Sequence, residues 1–239
     1  MRALGQIEGL ERIRFTSPHP KDLRPETIEA MAETAAVCPQ LHLPLQSGSD
    51  RVLRAMRRGY SAERYLQRLR DARARIDDLH VTTDLIVGFP GETERDFDET
   101  LAVVAEADFD SAYTFIFSPR EGTRAADMTD DFVSDEVIGD RFARLKDVLD
   151  RSALRHHEAR EGLVEEVLVE GPSRRNDQML SGRTRQGKLI HFAVTAESLR
   201  PGALVRVRVT HGAPYHLLGD LVSVQRGPRH KVRLPLLNA

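Results

Sequence analysis

The hydrophobic period of this chain changes once, near Gly162, and that change constrains the fold more than any single motif. Before it, extended apolar runs alternate with runs whose apolar residues recur at helical spacing. After it, apolar residues fall at every second position, in short runs parted by Gly or Pro. A chain of 239 residues has enough length to bury a core on each side of the change. The first part therefore reads as α/β and the second as a small all-β barrel.

In the first part Arg12–Thr16, Gln40–Gln46, Val81–Gly88 and Tyr113–Ser118 read as strands. Helices are expected from Pro25 to Ala35, from Asp50 to Met56, from Ser61, from Thr93, and from Ser134 to about Glu161. Pro25 suits a first helical position, and Ser61 and Thr93 suit caps. Strand–helix units in series imply a parallel sheet or a barrel with its helices outside. Such folds bind ligands at the carboxyl ends of their strands.

Each of the four strand ends carries polar or turn-forming residues: SPHP (17–20), QSGS (46–49), GFPGET (88–93) and SPREGT (118–123). Taken singly, each is an ordinary turn; four at one sheet edge point to a ligand site. In LHLPLQSGSD (41–50), Leu41, Leu43, Leu45 and Ser47 share one face, with His42, Pro44 and Gln46 on the other. Gln46 and Ser47 offer donors and acceptors suited to sugar hydroxyls or a base, or to solvent. Asp84, inside its strand, needs either a ligand or an internal arginine as partner. Arg120 suits a phosphate or carboxylate.

The second part reads as five strands, LVEEVLVEG, QMLSGRT, LIHFAV, ALVRVRVT and HLLGDLVSV. Arg174, Arg175, Arg183, Arg185 and Lys188 gather around one hairpin beside His191 and Phe192, a combination suited to RNA phosphates and stacked bases. Charge supports this. From Ala159 onward there are 13 basic against 7 acidic residues, while the first 158 residues carry 22 basic against 30 acidic. The organisation expected is 1–160 for the α/β part, 161–226 for the barrel and 227–239 for a disordered tail.

One cysteine, Cys38, excludes an internal disulfide and any cysteine-held metal or cluster made by this chain alone. No apolar run reaches membrane-spanning length and no leader follows Met1, so a cytoplasmic protein with no membrane partner is expected. There is no Ser/His/Asp arrangement, HExxH, P-loop or GxGxxG, and no catalytic or metal-ligating residue is assigned.

RFTSPHP (14–20), LHLPLQSGSDRVLRAMRRGYSAERY (41–65), TDLIVGFPGETERDFDET (83–100) and FIFSPREGTRAADM (115–128) resemble the MiaB-type tRNA methylthiotransferases, which are radical S-adenosylmethionine (SAM) enzymes. SGRTRQGKLIHF (181–192) resembles the TRAM domain that closes the same family. The resemblance implies the last strands of a six-stranded partial TIM barrel followed by a TRAM barrel. It implies S-adenosylmethionine as cofactor, with Gln46, Ser47, Gly48 and Ser49 lining its pocket. Asp84, Ile86 and Gly88 would hold its ribose or adenine, with Phe117 and Ser118 near the adenine.

It implies the tRNA anticodon stem-loop as partner, met by Arg120 and by the hairpin of Arg174, Arg175, Arg183, Arg185, Lys188 and Phe192. The reaction implied is methylthiolation at C2 of isopentenyladenosine beside the anticodon, with sulfur and electron donors. The family holds two [4Fe–4S] clusters, one on a CxxxCxxC loop, and this sequence has neither cysteine set. By resemblance the chain is the carboxyl-terminal part of such an enzyme, inactive alone. The alternatives are an RNA-binding scaffold without catalysis, or the related threonylcarbamoyladenosine or ribosomal-protein branches. Glu92 falls one place late for the superfamily's GxIxGxxE pattern, and Asp84 stands at its first glycine.

Overall fold

A computed structural model describes residues 1–15, 18–174, 176, 178–193 and 199–228. The chain divides into two compact units, Met1–His156 and His157–Ala239. The first unit runs α1 (Arg2–Gly5), α2 (Pro25–Glu33), β1 (Gln40–His42), α3 (Asp50–Ala55), α4 (Ala62–Arg75), β2 (His80–Val87), α5 (Glu94–Ala107), β3 (Ser111–Ile116) and all but the last two residues of α6 (Asp135–Glu158). Its strands form a parallel sheet in the order β1-β2-β3.

Caps set where the helices begin. Pro25 occupies the first turn of α2, Ser61 accepts from the Arg64 amide at 3.3 Å, and Thr93 forms a reciprocal capping box with Asp96. One sheet face is core: Leu41, Leu43, Leu45, Val81, Leu85 and Val87 pack with Tyr65, Leu69, Phe97, Val104 and Phe109. The other face carries His42, Thr82, Asp84 and Ile86, in register with Ser111, Tyr113 and Phe115 on β3. That face is open, with Tyr113 64% and Phe115 51% exposed.

Two expected strands are shorter than their patterns. Of RIRFT, residues 12–15 are described, and among them there is one parallel bridge, Ile13 to Val37, made by Ile13 N–H to Ala36 O at 2.7 Å and Cys38 N–H to Ile13 O at 3.0 Å. Gln40–Gln46 is regular only to His42, because Pro44 has no N–H and the Leu45 amide turns to the Thr83 hydroxyl at 2.9 Å. The chain still tracks β2: Leu43 N–H reaches Thr82 O, Gln46 N–H reaches Asp84 O, and Ile86 N–H reaches Gln46 O. Tyrosines take up carbonyls beside this break. Tyr65 donates to Leu43 O at 2.6 Å, and Tyr60 donates to Leu45 O at 2.9 Å.

The second unit is a closed barrel of β4 (Val164–Pro172), β5 (Met179–Thr184), β6 (Leu189–Ala193), β7 (Leu204–Ala213) and β8 (His216–Arg226), in the order β4-β5-β6-β8-β7. All pairings are antiparallel except β6 with β8. Alternate residues fill it: Val167, Val169, Ile190, Phe192, Val205, Val207, Val209 and Leu217. Among the described residues, closure leaves no open sheet edge in this unit. Residues 229–239, most of the expected tail, lie outside the described residues. Among the described residues no helix is long and apolar enough to cross a membrane.

Candidate functional site

The carboxyl ends of the parallel strands surround a cavity of about 540 Å³. Gln46, Asp84, Ile86, Phe117, Ser118 and Arg120 line it, six of the residues named from sequence, together with Arg58, Phe89, Phe115, Ile116, Thr123 and Ala125. Gln46 stands at the point where the chain leaves β2, with a left-handed φ of 71°, and its backbone is fixed on both sides by Asp84 and Ile86. His42 holds Asp84: its Nε2 lies 3.3 Å from Asp84 Oδ2 and its Nδ1 lies 2.8 Å from Thr82 Oγ1. The Tyr113 ring meets His42 edge-on. Phe117 packs edge-on against Phe89, so one wall is aromatic.

Ser47, Gly48 and Ser49 point elsewhere. The side chains of Ser47 and Ser49 are turned into α5, where Ser47 Oγ lies 3.2 Å from Thr100 Oγ1 and Ser49 donates to Asp96 Oδ1 at 2.6 Å. Gly48 N–H donates to Thr100 Oγ1 at 3.0 Å, and a Cβ there would stand 2.5 Å from the Thr100 Cα. The small residues thus let the strand end press against α5. Asp96 is the hub of this junction. Burial works to raise its carboxyl, but hydrogen bonds from Arg51, Ser49 and Thr93 outweigh it and hold the group well below the usual carboxylate range.

Gly88 also supports from behind. It has φ +77°, and a Cβ would meet Ile138 at 2.7 Å, so α6 packs where a side chain would lie. Its N–H donates to Glu92 Oε1 at 3.2 Å, and Arg141 donates to the same oxygen at 2.9 Å. Burial pushes the Glu92 carboxyl up despite those two donors. Glu92 is therefore engaged inside the unit, in keeping with its offset from the superfamily pattern. Burial likewise pushes the Tyr60 phenol up to about 12, which keeps it a neutral donor to Leu45 O.

In the barrel, Arg183 bonds Gly187 O at 3.1 Å and lies 3.5 Å from Glu170, while Arg185 lies 3.9 Å from Glu166. Arg174 is exposed; Arg175 lies outside the described residues. Two expectations are corrected here. Phe192 is 0% exposed, because it alternates with Ile190 on the inner face of β6, and it presents no ring to a base. Lys188 is 5% exposed, with its amide tied back to Thr184 Oγ1 at 3.2 Å in the hairpin turn.

Residues that sequence reasoning passed over are His42, Phe89 and Arg141, whereas Arg58, in the loop that follows Gln46 and Ser47, reads from sequence equally as a site residue or as part of a solvated face. For His42 a signal existed: strand alternation puts it on the face of Gln46, and the parallel register then brings it beside Asp84. For Arg141 the deciding contacts join one helix to the loop before another.

Residues 1–104 match the Radical SAM superfamily and residues 158–222 match the TRAM domain. The tRNA-2-methylthio-N(6)-dimethylallyladenosine synthase 1 of Mycobacterium marinum is 52% identical over 225 residues, a match covering 92% of this chain and 42% of the relative. This chain belongs to the MiaB-type radical SAM–TRAM family. The synthase of Thermobifida fusca is 53% identical over 224 residues, covering 92% of this chain and 45% of the relative. The chain thus spans less than half the length of these curated relatives. Among solved structures, Escherichia coli coproporphyrinogen III oxidase, described as a radical SAM enzyme, aligns with a TM-score of 0.50 at 15% identity. That match covers 80% of this chain and 45% of the other, and it is a likeness of fold.

Family membership implies S-adenosylmethionine and iron–sulfur clusters, and the two fare differently against the residues present. The strand-end cavity fits a nucleoside: it offers the Gln46 amide, the Asp84 carboxylate and the Ser118 hydroxyl between apolar walls of Ile86, Phe89 and Phe117. A cluster does not fit. Cys38, the one cysteine, is buried, and among the described residues no group of three His, Cys, Asp or Glu is placed to hold a metal ion.

Proposed function

We propose that this chain supplies the cofactor-binding sheet and the RNA-binding barrel of a tRNA methylthiotransferase acting at C2 of N6-isopentenyladenosine beside the anticodon. The observation that carries the reading is identity above 50% to synthases of that name along nearly the whole chain. S-adenosylmethionine, when bound, is the source of the family's radical chemistry. Asp84, oriented by His42, accepts hydrogen bonds from the cofactor's hydroxyls, and Gln46 and Ser118 supply donors and acceptors to its polar edges. Ile86, Phe89 and Phe117 cover the base and exclude water. Ser47, Gly48, Ser49 and Gly88 act behind this surface, fixing the loops that present it.

The barrel contributes tRNA affinity through Arg174, Arg183 and Arg185, in a cytoplasmic setting with sulfur and electron donors. No step through a cluster is derived from this chain, whose own residues hold none. The chain alone is inactive on this reading. Purified chain treated anaerobically with iron, sulfide and a reductant should form no 5′-deoxyadenosine from S-adenosylmethionine, and its formation would overturn the reading.

A second reading is favoured by the single buried cysteine: an RNA-binding scaffold that has kept the sheet only for support. Retained affinity for S-adenosylmethionine, lost on replacing Asp84 with alanine, separates the first reading from the second.

A further inference from the structure

Two guanidinium groups in the strand-end cavity have no counter-charge. Arg58, in the loop after α3, and Arg120, in the loop after β3, both line it, and neither side chain has a hydrogen-bond or ion-pair partner among the described residues. The contrast lies within the same unit. Arg141 is paired with Glu92 and Glu94, Arg144 with Glu94 and Asp98, and Arg51 with Asp96. Among the described residues lining the cavity Asp84 is the one acidic residue, and His42 already engages it. Two unpaired arginines in a cavity, on a part of the chain with 22 basic against 30 acidic residues, make a local anion site on an acidic body.

The charge of the ligand decides which anion. S-adenosylmethionine carries one carboxylate against an ammonium and a sulfonium, so it is a net cation and does not by itself supply the counter-charge for two guanidinium groups. A phosphodiester brings an anion with nothing to offset, and the planar fork of arginine matches its oxygens. We infer that Arg58 and Arg120 form a two-point clamp on the RNA backbone phosphates flanking the nucleotide that enters the cavity. This rests on the reading of the chain as part of a tRNA-modifying enzyme, and it assigns Arg58 a binding role beyond that reading. It also separates two tasks. The barrel supplies general affinity for RNA, and the clamp sets which nucleotide faces the strand ends.

The test uses the whole chain and an anticodon stem-loop RNA, with binding followed across a salt series. Arg58→Gln and Arg120→Gln should each weaken binding roughly tenfold, and each should reduce the log–log salt slope by about one. Neutral methylphosphonate linkages on both sides of the target nucleotide should weaken wild-type binding by a similar factor. The same linkages should leave the double variant's binding unchanged. The RNA arm keeps the clamp testable even if a variant folds poorly, because it uses the wild-type protein. Unchanged binding, slope and linkage sensitivity in the variants would overturn the clamp while leaving the tRNA reading intact. Weakened S-adenosylmethionine binding with unchanged RNA binding would also overturn it, assigning the arginines to the cofactor carboxylate. If the wild-type chain binds no RNA, the tRNA reading fails before any variant is made, and the clamp fails with it.

Discussion

Asp96 accepts from Ser49, Arg51 and Thr93 at once, and this one carboxylate ties the end of the first strand to the start of α5. Its folded-state ionisation lies below the unfolded value. The stability it adds is therefore full above the ordinary carboxylate value of about 4 and is lost as pH falls below it. Asp96→Asn should flatten that acid limb of the stability profile in urea melts taken as a function of pH. Glu92 and Arg141 behave differently, because both side chains are almost wholly buried. Arg141→Met strands a buried carboxylate and should cost about 3–5 kcal/mol, read from the urea midpoint. Adding Glu92→Gln should recover a good part of that loss.

At the scale of elements, the break at Pro44 matters most, because it decides how Gln46 is presented. The carbonyls of Leu43 and Leu45 rely on tyrosine hydroxyls from α4 and the loop before it. Tyr65→Phe leaves the buried Leu43 carbonyl with the Thr83 hydroxyl as its side-chain donor and should cost about 1–3 kcal/mol in thermal or urea unfolding. Gly48→Ala drives a Cβ into the α5 backbone and should cost about 1–3 kcal/mol.

Much at this scale was legible in the sequence. The barrel strands, the parallel sheet and the caps at Ser61 and Thr93 follow from period and capping chemistry. The inward place of Phe192 was legible too, since it alternates with Ile190, yet its basic neighbours suggested a surface role. The shortening of β1 was written in Pro44. What stayed hidden were contacts set by three-dimensional packing: Ser47 and Ser49 turned to Thr100 and Asp96, and Arg141 reaching Glu92 across 49 residues of chain.

For the whole molecule, the proposed reading gives the adenosyl cofactor to the acidic first part and the general affinity for tRNA to the basic second part. Arg183→Ala with Arg185→Ala should weaken tRNA binding at low salt and reduce its salt slope, while Phe192→Ala should cost about 3–5 kcal/mol of barrel stability. The central claim is that the strand-end cavity receives the adenosyl cofactor. Photolabelling the chain with an azido derivative of S-adenosylmethionine, followed by peptide mapping, tests it most directly. The account predicts labelled peptides spanning Asp84–Phe89 or Phe115–Arg120, with labelling suppressed by unlabelled cofactor and lost in Asp84→Ala. Label confined to the barrel, or label at the sheet that unlabelled cofactor does not displace, would contradict it.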